Sequence, residues 1–90
     1  MGVCPQDIYR QLDWISEGWH EEEMAVTRRI ARLRKTLQQV PDPWFQPAIA
    51  LTHELGFERL KAGSSPGQIL VLLRGVVNDW HQTRRTERSH

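Results

Sequence analysis

The chain has little of what would cross-link it or carry it through a membrane. Its 90 residues include a single cysteine, Cys4, so neither an intrachain disulfide nor a cysteine cluster for zinc can form. No run approaches the ~18 apolar residues of a membrane-spanning helix, and the first residues lack the pattern of a secretory signal. We therefore expect a cytoplasmic protein.

The chain also has almost no net charge. Twelve Lys and Arg stand against 11 Asp and Glu, and the formal charge is +1. The surface as a whole therefore does not attract nucleic acid or anionic lipid, and binding to either would need a local basic patch. This length predicts one domain with a thin core, residues 1–90, in which 1–4 and 84–90 are mobile tails.

What the sequence does contain is apolar residues at helical spacing. After Pro5, a residue suited to a first helical turn, steps of mostly three and four place a stripe on one helix face. The stripe consists of Ile8, Leu12, Ile15, Trp19, Val26, Ile30, Leu33, Leu37 and Val40. Pro41 and Pro43 end it. Because the stripe keeps its phase across Gly18, it favours one long helix over about 6–39; a break at Gly18 is the alternative.

Two further helices are expected. One begins between Trp44 and Pro47. The other follows the sequence 65–68, Ser-Pro-Gly-Gln, which has the pattern of a capping box with proline at the first helical position. That last helix is apolar on most of its circumference, which is typical of a helix buried at the centre of a core. The predicted fold is all-α: a small helical bundle of three to four helices with a long first helix, assembled as a dimer.

The dimer is predicted from charge polarity along that first helix. Its front half is acidic and its back half is basic, and only Arg10 departs from the pattern. The acids are Asp7, Asp13, Glu17, Glu21, Glu22 and Glu23, and the bases are Arg28, Arg29, Arg32, Arg34 and Lys35. Part of this pattern complements the helix dipole. Two copies packed antiparallel would also pair each acidic half with a basic half.

Four tryptophans in a small chain point to contacts with other proteins. Trp80 is expected in the core, while for Trp14 and Trp44 a core position and a partner contact are equally open. The leading functional prediction is a protein–protein interaction module, a regulator, adaptor or inhibitor that acts through one helical face and not an enzyme. The predicted contact residues are Trp14, Trp19, Glu22, Val26, Arg29, Ile30 and Leu33.

The alternative prediction is a small nucleic-acid-binding transcriptional regulator. It would bind the phosphates of the nucleic-acid backbone with the basic run of Arg28, Arg29, Arg32, Arg34 and Lys35. A helix-turn-helix is disfavoured, because the helix after Ser65 shows mostly Leu, Ile and Val where a recognition helix needs polar side chains.

The sequence predicts neither a metal site nor a cofactor. Glu17 and His20 form one Glu-x-x-His pair, whereas a di-iron bundle needs that motif twice. The remaining histidines, His53, His81 and His90, are expected at the surface. No glycine-rich phosphate loop or nucleophile with a recognisable base is present, so no catalytic residues are assigned.

Overall fold

The computed structural model describes residues 3–40 and 43–88, with side chains described up to residue 83. The four α-helices of this part of the chain are α1 (Pro5–Glu17), α2 (Glu23–Gln38), α3 (Gln46–Arg59) and α4 (Gly67–Arg88). A 3₁₀ turn, Pro43–Phe45, precedes α3. The described residues form no β-strand. The predictions of an all-α fold and of three to four helices are confirmed.

The helices form an up-down-up-down bundle of about 48 × 24 × 20 Å. α1 packs against α2 and α4, and α3 packs against the same two helices from the other side. Cross-contacts show that neighbours run antiparallel: Gln11 of α1 meets Thr36 late in α2, and Asp13 meets Arg74 of α4. Short connections favour this arrangement, because they leave consecutive helices side by side.

The prediction of a long first helix is wrong, because the chain breaks at Gly18. The Gly18 N–H still donates to the Trp14 carbonyl at 3.1 Å, but the Trp19 N–H turns to the Ser16 carbonyl at 3.4 Å, and α2 begins only at Glu23. Val26 follows Trp19 in the stripe after seven residues. The positions between them at which a helix would place an apolar residue, 22 and 23, are both glutamates. A continuous helix would bury no apolar side chain between these two residues, whereas a turn lets α2 bury its apolar stripe against α1.

This turn changes the meaning of the charge polarity. The acidic segment and the basic α2 now lie antiparallel within one chain, and Arg29 forms an ion pair with Glu21 at 3.0 Å. One pair of this charge pattern, Arg29 with Glu21, therefore forms inside one copy. The homodimer stays a prediction, but it can no longer be based on one continuous helix with an acidic and a basic half.

α4 is longer and less buried than the sequence predicts. It begins at Gly67, where the Leu70 N–H donates to the Pro66 carbonyl at 2.9 Å, and it continues to Arg88. Residues 84–88 therefore belong to a helix and not to a tail beyond it; residues 1–2 and 89–90 lie outside the described residues. One face of α4 is buried, but Val71 is 70% exposed. The prediction of burial on all sides is wrong, because α1, α3 and the Pro43–Phe45 turn pack against this helix and leave its outer side exposed.

The core consists of one stripe from each helix. The largest buried side chains include Trp19, Phe45 and Trp80, and the rings of Phe45 and Trp80 lie 4.8 Å apart. Trp80 thus occupies the core position predicted for it. Trp19 reaches across the bundle and donates from Nε1 to the Ser64 carbonyl at 3.1 Å, which ties together the two loops at one end. Within the described residues no helix is both long and apolar enough to cross a membrane.

Candidate functional site

The predicted contact residues divide between core and surface. Trp19, Val26, Ile30 and Leu33 are buried. Their assignment as surface contacts is therefore wrong: once the chain doubles back at Gly18, the stripe that was to meet a partner becomes the interior of the bundle. Trp14, Glu22 and Arg29 remain outside the core.

Trp14 is the exposed aromatic residue of this set. It lies on the side of α1 that borders α2, and it is 37% exposed. The guanidinium carbon of Arg29 lies 4.4 Å from the centre of its ring, and that of Arg32 lies 5.7 Å away. Both distances fall within the range of cation–π contacts. The indole is therefore held on the surface by two cations of the neighbouring helix.

Arg29 links three parts of the α1–α2 hairpin. Its Nη1 donates to the Trp14 carbonyl at 2.7 Å, and its Nη2 pairs with a Glu21 carboxylate oxygen at 3.0 Å. The Trp14 carbonyl also accepts the Gly18 N–H, and a cationic donor on a carbonyl of the last helical turn complements the negative end of the helix dipole. The Arg29 side chain is only 16% exposed. It is a structural part of the hairpin rather than a free contact.

A groove of about 470 Å³ lies beside Trp14 along the α1–α2 face. Its walls are formed by Arg10, Gln11, Asp13, Trp14, Glu17 and Arg32. Through Arg10, Gln11 and Arg32 it continues into a second hollow of about 530 Å³ that reaches Cys4 and Gln39. We call these two hollows the α1–α2 groove. It combines an aromatic wall with charges of both signs.

Gln11 lies at the centre of the α1–α2 groove. Its Nε2 donates to Thr36 Oγ1 at 3.0 Å, and Thr36 Oγ1 donates in turn to the Arg32 carbonyl at 3.0 Å. Its Oε1 is buried and has no hydrogen-bond partner within the described part of the chain. Gln11 thus lines both hollows, while its Oε1 is shielded from solvent.

Two cations of the α1–α2 groove have no carboxylate partner among the described residues. Asp13 pairs with Arg74 of α4 at 2.6 Å, so it does not neutralise Arg10 or Arg32. Arg32 contacts the Trp14 ring instead of a carboxylate.

The basic run predicted for nucleic acid is also divided. Arg29 is engaged as described, and Arg34 donates from Nε to Thr52 Oγ1 at 2.9 Å between α2 and α3. Assigning these two to phosphate contact is therefore wrong, because both are used inside the fold. Arg28, Arg32 and Lys35 are exposed and spaced by four and three residues, so they form one stripe along α2.

The histidines are scattered over the structure. His20 and His53 are exposed, His81 is half-buried, and His90 lies outside the described residues. Nowhere in the described part do three metal-ligating side chains come together.

Sequence reasoning missed most residues of the α1–α2 groove. Arg10, Gln11, Asp13 and Glu17 were not in the predicted contact set, although Arg10 was conspicuous as the one cation in an acidic segment. Arg10, Trp14 and Glu17 share a face of α1 at steps of four and three, which is visible in the sequence. That α2 would lie along this face depended on the break at Gly18.

Comparisons of the chain with known protein families, with curated proteins and with solved structures found no match.

Proposed function

We propose that this protein is a small protein–protein interaction module, a regulator, adaptor or inhibitor of the cytoplasm, that binds its partner in the α1–α2 groove. The observation that supports the proposal is the half-exposed Trp14, held in place by Arg29 and Arg32 at the wall of that groove. Tryptophan and arginine are the residues most enriched at the energetic centres of protein interfaces.

The fixed position of Trp14 favours affinity. A side chain that is already ordered before binding loses little rotational freedom on binding, which otherwise costs roughly 0.5–1.5 kcal/mol per side chain. Arg29 restricts the motion of Trp14, because it contacts both the ring and the main chain of that residue. The exposed part of the indole is left for the partner.

The polar walls would set the orientation of the partner. Arg10 and Arg32 offer donors without a carboxylate partner among the described residues. Charged groups around an aromatic anchor contribute to specificity and association rate more than to affinity itself. Contact residues on this proposal are Trp14, Arg10, Arg32 and Glu17, with Glu22 at the edge of the hairpin.

The test is affinity capture from the native cell after nuclease treatment, with the wild type beside Trp14→Ala and Trp44→Ala. Trp44 is the matched control, because it is also partly exposed, at 42%, but does not line the α1–α2 groove. Melting curves would first establish that both variants are folded. We expect one protein retained at fixed stoichiometry by the wild type and Trp44→Ala and lost with Trp14→Ala. Equal retention by all three would contradict the groove as the binding site.

A second candidate function, nucleic-acid binding, is favoured by the exposed stripe of Arg28, Arg32 and Lys35. No carboxylate pairs with these side chains within the described residues. Phosphate contacts release counterions, so affinity for duplex DNA would fall steeply as salt increases. The double variant Arg28→Gln with Lys35→Gln would then lose affinity and show a shallower salt dependence. Absence of salt-dependent DNA binding by the wild type would eliminate this candidate.

A further inference from the structure

α3 carries two stripes on opposite sides. The buried stripe contains Ala48, Thr52 and Leu55. The other stripe is exposed along its whole length and advances in alternating steps of four and three. We call it the outer seam; its residues are Gln46, Ala50, His53, Phe57 and Leu60.

The outer seam exposes unusually large apolar side chains. Phe57 is 70% exposed and Leu60 is 65% exposed. The neighbours of α3 are α2 and α4, which lie on its flanks and leave its outer side open. Alternating steps of four and three are the spacing with which helices pack against one another along a seam. An exposed seam of this kind marks an interaction surface.

We infer that the outer seam packs antiparallel against the outer seam of a second copy of this chain. The sequence of the seam is complementary to its own reverse. With the two-fold axis at His53, Leu60 of one copy lies opposite Gln46 of the other, and Phe57 lies within one residue of the level of Ala50. Each large side chain thus meets a smaller or flexible one, as an interface between identical surfaces requires.

The charges beside the axis agree with this register. Glu54 follows His53, and both are exposed. Across a two-fold axis at His53, the carboxylate of Glu54 in one copy approaches the imidazole of the other, which can donate a hydrogen bond to it. A partner helix whose large and small residues follow a different order would place no small side chain opposite Phe57.

This interface is independent of the α1–α2 groove. α3 lies diagonal to α1 in the bundle, so a dimer formed through α3 leaves Trp14 and its groove accessible. The dimer would present two grooves, one on each copy, and would strengthen binding to a partner with two matching segments. A single pair of short helices buries less than the roughly 800 Å² per partner of a standard interface, so a micromolar, concentration-dependent equilibrium is expected.

Sedimentation equilibrium over a concentration series tests the dimer. We compare the wild type with Phe57→Glu and with the matched control Val71→Glu, because both native side chains are 70% exposed but Val71 lies on α4. The wild type and Val71→Glu should dimerise in the micromolar range, while Phe57→Glu should weaken the dimer at least tenfold. A wild type that stays monomeric at hundreds of micromolar, or a dimer that Phe57→Glu leaves intact, would overturn the inference.

A cross-linking experiment tests the register. In a Cys4→Ser background, His53→Cys places one thiol on each copy beside the proposed axis. Gln68→Cys, exposed on α4, serves as the control. With oxidised glutathione, His53→Cys should become a disulfide-linked dimer much faster than Gln68→Cys. Equal rates for the two variants would overturn this register.

Discussion

The guanidinium of Arg29 occupies the space that a side chain at Gly18 would need. An ideal Cβ built on Gly18 would lie 1.9 Å from Arg29 Nη1 and 2.5 Å from its Cζ. The backbone at Gly18 has φ −99°, which any residue can adopt. Glycine is therefore favoured at this position by the packing of a side chain from α2 and not by the shape of the turn.

We expect Gly18→Ala to lower the free energy of unfolding by about 1 kcal/mol. The new methyl group would force Arg29 away from the Trp14 carbonyl and the Glu21 carboxylate, and hydrogen bonds to charged groups contribute about 1.5–3 kcal/mol. The lower entropy of alanine in the unfolded chain would offset roughly 0.4–1 kcal/mol of this loss. Urea denaturation of both proteins measures the difference.

The same substitution in an Arg29→Ala background is the control. Without the guanidinium, the methyl group has room, and only the effect on the unfolded chain remains. Gly18→Ala should then stabilise the protein by roughly 0.4–1 kcal/mol. An equal loss in both backgrounds would show that Arg29 is not the cause.

The break at Gly18 shows why the fold was only partly predictable. The apolar stripe correctly indicated which residues become buried, because periodicity reports one face of a helix whether or not the helix is continuous. It could not indicate the turn, since the step of seven from Trp19 to Val26 preserves the phase of the stripe. The missing apolar residue at position 22 or 23 was the available signal.

The candidate site was less predictable than the core for the same reason. Trp14 and Arg29 were singled out from the sequence, but the groove exists only because α2 folds back beside α1. Core and contact surface carry the same residue types, so Trp19 and Trp14 could not be told apart by composition. Trp19 lies on the apolar stripe just after α1, whereas Trp14 lies on α1 beside that stripe.

Replacing either of two glycines outside the α1–α2 hairpin by alanine should change the stability of the protein, in opposite directions for the two positions. Gly75 lies inside α4, and a Cβ there would meet nothing within 4 Å, so Gly75→Ala should stabilise the protein by about 1 kcal/mol. Gly63 lies between α3 and α4 with φ +72°, a conformation that costs other residues roughly 1–2 kcal/mol. Gly63→Ala should therefore destabilise it by that amount. Thermal unfolding followed by circular dichroism distinguishes the two signs, and a stabilising Gly63→Ala would contradict this conformation.

Thr52 should prove important for the packing of α2 on α3. It is fully buried, its hydroxyl donates to the Ile49 carbonyl at 2.6 Å, and it accepts from Arg34 Nε at 2.9 Å. Thr52→Val keeps the shape but leaves Arg34 Nε without this acceptor, at a cost of about 1–3 kcal/mol. In an Arg34→Met background the cost should shrink, because no donor is then left unpaired. Urea denaturation of the four proteins measures the coupling, and the same cost in both backgrounds would exclude it.

Replacing Trp19 by alanine should cost much more folding stability than replacing Trp14 by alanine. Trp19 is 2% exposed and bonded to Ser64, so Trp19→Ala should cost about 3–5 kcal/mol. That is a large part of the roughly 5–15 kcal/mol that stabilises a domain, so the variant should melt at a much lower temperature than the wild type. Trp14→Ala removes a half-exposed ring and two cation–π contacts, and should cost about 1 kcal/mol.

Circular dichroism melts of the two alanine variants measure this difference, with Trp19→Phe as the control that keeps apolar bulk but loses the indole N–H. We expect Trp19→Phe to fall between the other two, because it gives up the bond to the Ser64 carbonyl and some volume without leaving a large cavity. If Trp14→Ala destabilised the protein as much as Trp19→Ala, Trp14 would be a core residue. Its availability to a partner, and with it the proposed function of the α1–α2 groove, would then be untenable.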